Sequence, residues 1–221
     1  MSKKLKGGKD NVNDHSPHFV YLPKDKFEKE AIQTNLSKKG KINLSPKSGS
    51  EPVYEPFKWN KEGIIDKHNC YSYAVNIINK KNTGKAQPGY FSGYNHIDDN
   101  EYQCKNFHNR LKADLPSMYL TSFEQPCKKG FHKAFIAIDD KKENQDYHFY
   151  REDNSGLWSH KPGATEVKDV DASGKKIANP HTANRSYPDY QYKKPCFFFC
   201  VNPKLAKVKS ETTKKTTIIN F

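Results

Sequence analysis

Residues 131–138 (FHKAFIAI) carry apolar side chains on both alternating sets, Ala134, Ile136 and Ile138 on one and Phe131, Phe135 and Ala137 on the other. Successive strand residues point to opposite faces, so a strand written this way has to be covered on both sides. The stretches that follow supply partners for it. Residues 147–152 read as a second strand, 153–156 (DNSG) as a turn, and 157–161 as a third strand returning along it. Residues 164–170 read as a short fourth strand closed by the turn 171–174 (DASG), and 196–201 (CFFFCV) as a last buried strand ended by Asn202 and Pro203.

Two helices precede the sheet. Residues 69–79 place Tyr73, Ala74, Ile77 and Ile78 on one face, and the Asn82-Thr83-Gly84 stretch stops the pattern. Residues 102–114 place Phe107 and Leu111 on one side, and Leu115-Pro116 ends that helix. Between them, 86–95 (AQPGYFSGYN) is an aromatic loop punctuated by Gly and Pro. Helices first and strands later make an α+β fold.

The 221 residues suit one domain with tails. Hydrophobic content of 34% is low, so part of the chain is expected outside the core, while 13% aromatic residues argue against global disorder. The division expected is an extended N-terminal arm at 1–60, a compact domain at 61–203 and a basic tail at 204–221. Within the arm, Val53, Tyr54, Phe57 and Trp59 are too apolar to remain in water and are expected to dock on this chain or on a partner. The net charge of +13 favours anionic partners, and its excess is partly terminal, so nucleic acid is a candidate partner through the basic tails.

The chain has five cysteines, an odd count that leaves one over in any full pairing. The first 18 residues lack the apolar core of a secretory signal, and the longest apolar run is too short to span a bilayer. The expectation is an intracellular protein with free thiols and no membrane span. Cys196 and Cys200 stand four apart in a strand, where they point the same way and read as packing residues.

Cys70 lies where a polar loop gives way to an apolar run that opens a helix. A helix start favours a thiolate and offers N–H groups to an oxyanion, with Asn69 beside it as an amide donor or cap. The bland alternative is a buried structural cysteine. Alternation puts His148 and Tyr150 on one face and Tyr147 and Phe149 on the other. A three-residue loop at 154–156 sets Tyr150 opposite His160 and makes His148 a diagonal neighbour of His160; a one-residue slip separates them. His132, at the start of a buried strand, is a rival base, and Asp146 is placed to orient an imidazole. Each histidine also has the alternative of a plain hydrogen-bonded role. Cys70, His148 and His160 are a candidate three-ligand zinc set, but no short-spaced Cys/His pair supports a metal site, and no cofactor is expected.

The segments HNCYSYAVN, AQPGYFSG, DYHFYREDNSGLWSHKPGATEV, DASGKKIANPHTANRSY and CFFFCV, spread over residues 66–202, resemble an uncharacterised family found in large double-stranded DNA viruses and bacteria. That family looks like a divergent branch of papain-like cysteine peptidases and amidases. The resemblance implies a papain-like core and a cysteine hydrolase acting on a protein or peptide substrate. Cys70 would attack, His148 would move the proton, and His160 or Asp146 would orient the ring. The alternative is a non-enzymatic minor capsid protein on the same fold, touching neighbouring virion proteins through the N-terminal arm.

Overall fold

Strand β2 (His132–Asp139) is buried along its whole length and occupies the middle of a five-stranded antiparallel sheet. The computed structural model describes residues 42–80 and 84–210, so most of the expected arm and residues 211–221 of the tail lie outside the described residues. The other strands are β1 (Tyr119–Thr121), β3 (Asp146–Glu152), β4 (Trp158–His160) and β5 (Lys194–Val201), in the spatial order β1-β5-β2-β3-β4. Among the described residues three short helices accompany the sheet: α1 (Pro56–Trp59), α2 (Cys70–Ala74) and α3 (Cys104–Asp114). A single 3₁₀ turn, Asp99–Glu101, precedes α3. The fold is α+β, with few helices.

The two alternating sets of β2 go to two cores, as the sequence demands. Ala134, Ile136 and Ile138 join Tyr147, Phe149, Phe199 and Val201 beneath Tyr71 and Ala74 of α2 and Phe107 and Leu111 of α3. Phe135 and Ala137 join Tyr150, Trp158, Ile177, Tyr192 and Phe123 on the far side. Each fully buried large apolar side chain contributes roughly 1.5–3 kcal/mol relative to exposure, so both faces matter to stability. The β3–β4 hairpin pairs Tyr150 with His160, Arg151 with Ser159 and Glu152 with Trp158. Its loop is three residues long, and Gly156 takes the left-handed conformation (φ +83°) such a loop requires.

Helix α2 is shorter than its apolar spacing predicts, ending at Ala74 rather than near residue 79. Asn76 adopts φ +57°, the N–H of Asn76 donates to the Tyr73 carbonyl, and that of Ile77 donates to Ser72. This is a Schellman cap with Asn in the glycine position, and it stops the helix whatever the apolar period beyond. The expected strand at 164–170 does not form; isolated bridges such as His160 to Lys168 and Val170 to Lys176 stand in its place. The buried Lys161 ammonium binds the carbonyls of Gly163 and Thr165 at 2.9 Å each, which curls the chain into a turn there. The sequence reading also missed β1 and α1.

Four cysteines are paired, Cys104 with Cys196 and Cys127 with Cys200. This corrects the expectation of free thiols. Cys196 and Cys200 also do not pack as a same-face pair. A register shift opposite Ile136 and Ala137 breaks the alternation of β5, so Cys196 packs on the helix side and reaches Cys104 of α3. Of the four apolar residues expected to dock from the arm, Trp59 is fully buried and the Tyr54 hydroxyl donates to the Val167 carbonyl. Val53 and Phe57 remain exposed, Phe57 at 95%. A one-turn helix starting at Pro56 turns only one face inward, and Trp59 occupies it.

Candidate functional site

Asn69 caps α2. Its Oδ1 accepts from the Ser72 N–H at 3.2 Å and its Nδ2 donates to the Ala86 carbonyl at 2.8 Å. Both ends of the amide are therefore committed to holding the helix start and the aromatic loop together. Cys70, the first residue of the helix, is buried, and its sulfur lies 3.9 Å from the Tyr147 carbonyl of β3. Burial, reinforced by the nearby Asp146 carboxylate, pushes the thiol up to about 12. A thiol in that setting stays protonated at neutral pH and is a poor nucleophile.

The histidines sit elsewhere. His148 Nε2 and His160 Nδ1 are 2.7 Å apart, and His160 Nε2 is 3.0 Å from the Val170 carbonyl. A carbonyl only accepts, so His160 carries its proton on Nε2 and its Nδ1 accepts from the Nε2–H of His148. Burial drives both rings toward the neutral form, His160 to about 4 and His148 well below its ordinary 6.5. His148 stacks on Tyr192 with centroids 5.0 Å apart and meets Tyr150 edge-on. The sequence-expected His148–His160 neighbourhood is thus present, because the hairpin takes the three-residue register.

What the sheet does not do is bring Cys70 to that pair. Cys70 belongs with Tyr147 and Phe149 on the helix side, while His148 shares the face of Tyr150 in the opposite core. The backbone of β3 runs between them, as strand alternation dictates. His132 is on the helix side but at the far end of α2, where its Nε2 donates to the Ala74 carbonyl at 2.7 Å. Full burial pushes it down to about 4. Asp146 accepts from the Tyr192 hydroxyl at 2.6 Å, and burial raises its carboxyl above the ordinary range. It holds a tyrosine against the His148 ring. Among the described residues no group of three or more His, Cys, Asp or Glu is placed to hold a metal ion, and no helix is long and apolar enough to cross a membrane.

A second set of residues is more consequential than the sequence suggested. Arg151 is fully buried; its Nε binds Asp153 at 3.1 Å, its other nitrogens reach Asn76 and the Val53 carbonyl, and its guanidinium lies 3.9 Å from the Tyr73 ring centre. Lys161 donates to three carbonyls, those of Ile65, Gly163 and Thr165. Arg185 collects the carbonyls of Pro180, His181, Ala183 and Tyr192. Lys161 and Arg185 are satisfied by backbone carbonyls, and Arg151 by the Asp153 and Asn76 side chains together with the Val53 carbonyl, which is what makes their burial tolerable. Arg151 and Lys161 belong to the same DYHFYR and WSHKPG segments that read as catalytic. In each of these segments a basic residue makes scaffolding contacts, and only Arg151, a basic residue inside a strand bordered by aromatics, carried a local sign of burial.

No family model matches the chain, and no solved structure does. A curated protein does: insoluble matrix shell protein 1 of Ruditapes philippinarum is 37% identical over 138 residues, which cover 62% of this chain and 84% of that protein. The chain belongs to the family of that protein. Membership overturns three expectations. A relative named as a shell matrix protein replaces the cysteine hydrolase, the virion protein that was its alternative, and the intracellular setting. The physical reasons agree: the thiol is buried and protonated, the imidazole pair lies across the sheet from it, and four cysteines are joined as disulfides, which persist in oxidising surroundings.

Proposed function

We propose that this protein is a structural component of an insoluble extracellular matrix of the shell type. The observation that carries this reading is the 37% identity to insoluble matrix shell protein 1 over most of that protein's length. The build of the domain supports it. Two disulfides span sequence separations of 92 and 73 residues, and loops are fixed from inside by caged cations. Such cross-links stabilise the folded chain and suit a part that has to endure outside the cell. The layering of a Cys-headed helix on an antiparallel sheet supports a papain-like origin for the scaffold, retained here for its rigidity, with Cys70, His148 and His160 as packing and hydrogen-bonding residues.

The test is fractionation of the tissue that produces the chain. Peptides of the chain are expected in the water-insoluble residue left after demineralisation, released by denaturant with reductant. Mass spectrometry of unreduced digests is expected to show the Cys104–Cys196 and Cys127–Cys200 links and a free Cys70. Recovery in the soluble cytosolic fraction with all five cysteines reduced overturns the proposal.

A further inference from the structure

The loop at 88–101 is held far more firmly than a surface loop needs to be. Asp114, fully buried, accepts from the Gly89 N–H at 2.7 Å and the Ser92 N–H at 3.0 Å. Arg110, also buried, donates to the Asn95 carbonyl at 2.8 Å and the His96 carbonyl at 3.3 Å, and pairs with Glu101 at 2.7 Å. Ile97 is inserted into the helix-side core. Gly89 has φ +88°, and a Cβ there would come within 2.8 Å of the Tyr94 side chain, so only glycine lets the Tyr94 ring lie where it does. With its backbone anchored inward, the loop presents its remaining side chains outward. They line an open surface depression of about 450 Å³ formed by Ser92, Tyr94, Asn95, His96, Asp98 and Glu101, with the buried Arg110 beneath.

Its chemistry selects among ligands. Tyr94 is 41% exposed and backed by the Arg110 guanidinium at 4.9 Å, which fixes the ring as a flat platform. Around it stand amide, hydroxyl and imidazole groups able both to donate and to accept. A metal cation is disfavoured, because Glu101 is neutralised by Arg110 and the Asp98 and Glu101 carboxylates are spent on each other's backbone N–H groups. An anion is disfavoured by those same carboxylates. A purely apolar ligand is disfavoured by the polar walls. A ligand with an apolar C–H face and many hydroxyls fits, since one surface stacks on a ring while the rest exchanges hydrogen bonds. We propose that the 88–101 loop is a carbohydrate-binding site that takes a neutral or N-acetylated polysaccharide chain. The preformed loop pays no ordering entropy on binding, and a polysaccharide is a partner suited to a matrix component. The proposal rests on the matrix reading for its class of partner.

The test is co-sedimentation of the full, oxidised chain with insoluble cellulose and chitin powders at high salt, where adsorption driven by the +13 charge is screened. Wild-type protein is expected to sediment with at least one of them. Tyr94→Ala is expected to weaken binding about tenfold, the ratio that loss of one aromatic contact implies. Tyr94→Phe keeps the platform and is expected to bind within about threefold of wild type. Asn95→Ala, which leaves the Asn95 backbone carbonyl available to Arg110, reports on the polar wall and is expected to bind more weakly. Phe57→Ala, on an exposed ring elsewhere, is expected to change nothing. Far-UV dichroism of each variant checks that a loss is not unfolding. Failure of the wild type to bind either powder at high salt, or equal binding by Tyr94→Ala, overturns the site. Neither result touches the matrix proposal, which is read from tissue fractionation and not from binding.

Discussion

The two faces of the sheet are covered by different means. On the helix side, α2 and α3 lay Tyr71, Ala74, Phe107 and Leu111 on Ala134, Ile136 and Phe149, and the Cys104–Cys196 link fastens α3 to β5. On the other side residues 162–193 have no named helix or strand, yet they bury Ile177, Tyr192, His160 and the stem of Arg185. A helix satisfies its own backbone and needs only an apolar stripe to dock. An irregular cover leaves carbonyls and N–H groups to be paired from outside, and here Arg185 and the ring nitrogen of His160 do that pairing. The far side therefore adds to its apolar cluster polar contacts that fix an irregular cover in a dry setting, where each lost partner leaves a buried group unsatisfied, while the helix side combines docked helices with the Arg151 contacts.

Several experiments would sharpen or break this contrast, beginning with the largest effect. Opening the Cys104–Cys196 link by the double substitution C104S/C196S releases a loop with a sequence separation of 92 residues. The chain-entropy account puts the cost at about 4–5 kcal/mol, and guanidinium unfolding under otherwise oxidising conditions measures it. A cost below about 1 kcal/mol would mean that apolar packing alone holds the helix side.

Arg151→Ala is next. It strips Asp153 of its buried partner and removes the contact that ties residue 53 and α2 to the sheet. The expected loss is about 3–5 kcal/mol by the same denaturation assay. Arg151→Met keeps the volume but not the hydrogen bonds, so recovery by Met would show packing, not polar satisfaction, to be the main contribution.

Acid should loosen the far side before the helix side. Burial holds His160 and His181 down at about 4 and His148 well below 6.5, whereas their helix-side counterparts are His132 at about 4 and His68, also lowered by burial. A base depressed in the folded state binds protons more readily when unfolded. Its contribution is complete above 6.5 and is lost as the pH falls from 6.5 toward 4. Asp153, raised to about 6 by burial, acts oppositely, its contribution being lost as pH rises from 3.8 toward 6, and so do the far-side Asp146 and Glu152, both raised by burial, so that three far-side histidines stand against two far-side carboxyls. Amide exchange at pH 4.5 is expected to quicken for residues 158–160 relative to 107–111. Equal protection of the two segments would refute the ordering.

The smallest effect concerns Cys70. With its thiol pushed up to about 12 and buried, iodoacetamide at pH 8 should leave it unmodified in the folded protein and label it once denaturant is added. Cys70→Ala should cost about 1 kcal/mol or a little more, as for a small buried side chain. Rapid labelling in the native state would show that the helix start opens.

Strands β2 to β5 could be read from the chain, though not β1, because the period of two in β2 and the DNSG turn act locally: alternation assigns faces, and a three-residue loop with Gly at the left-handed position fixes register. That was enough to place His148 beside His160. Helix α3 was legible for a similar reason, its apolar spacing and its Leu115-Pro116 stop both being local. What the sequence could not decide was which face of the sheet each core residue shared with α2. Cys70 and His148 looked like a reactive pair because each lies in a suitable local setting, but only the packing of α2 on Tyr147 and Phe149 puts the sheet between them. The disulfides were hidden for the same reason. Pairing Cys104 with Cys196 depends on where α3 crosses β5 and on a bulge that no periodicity announces. The buried cations were visible as letters and invisible as cages, since a carbonyl cage is made of backbone from distant segments and leaves no side-chain pattern to read.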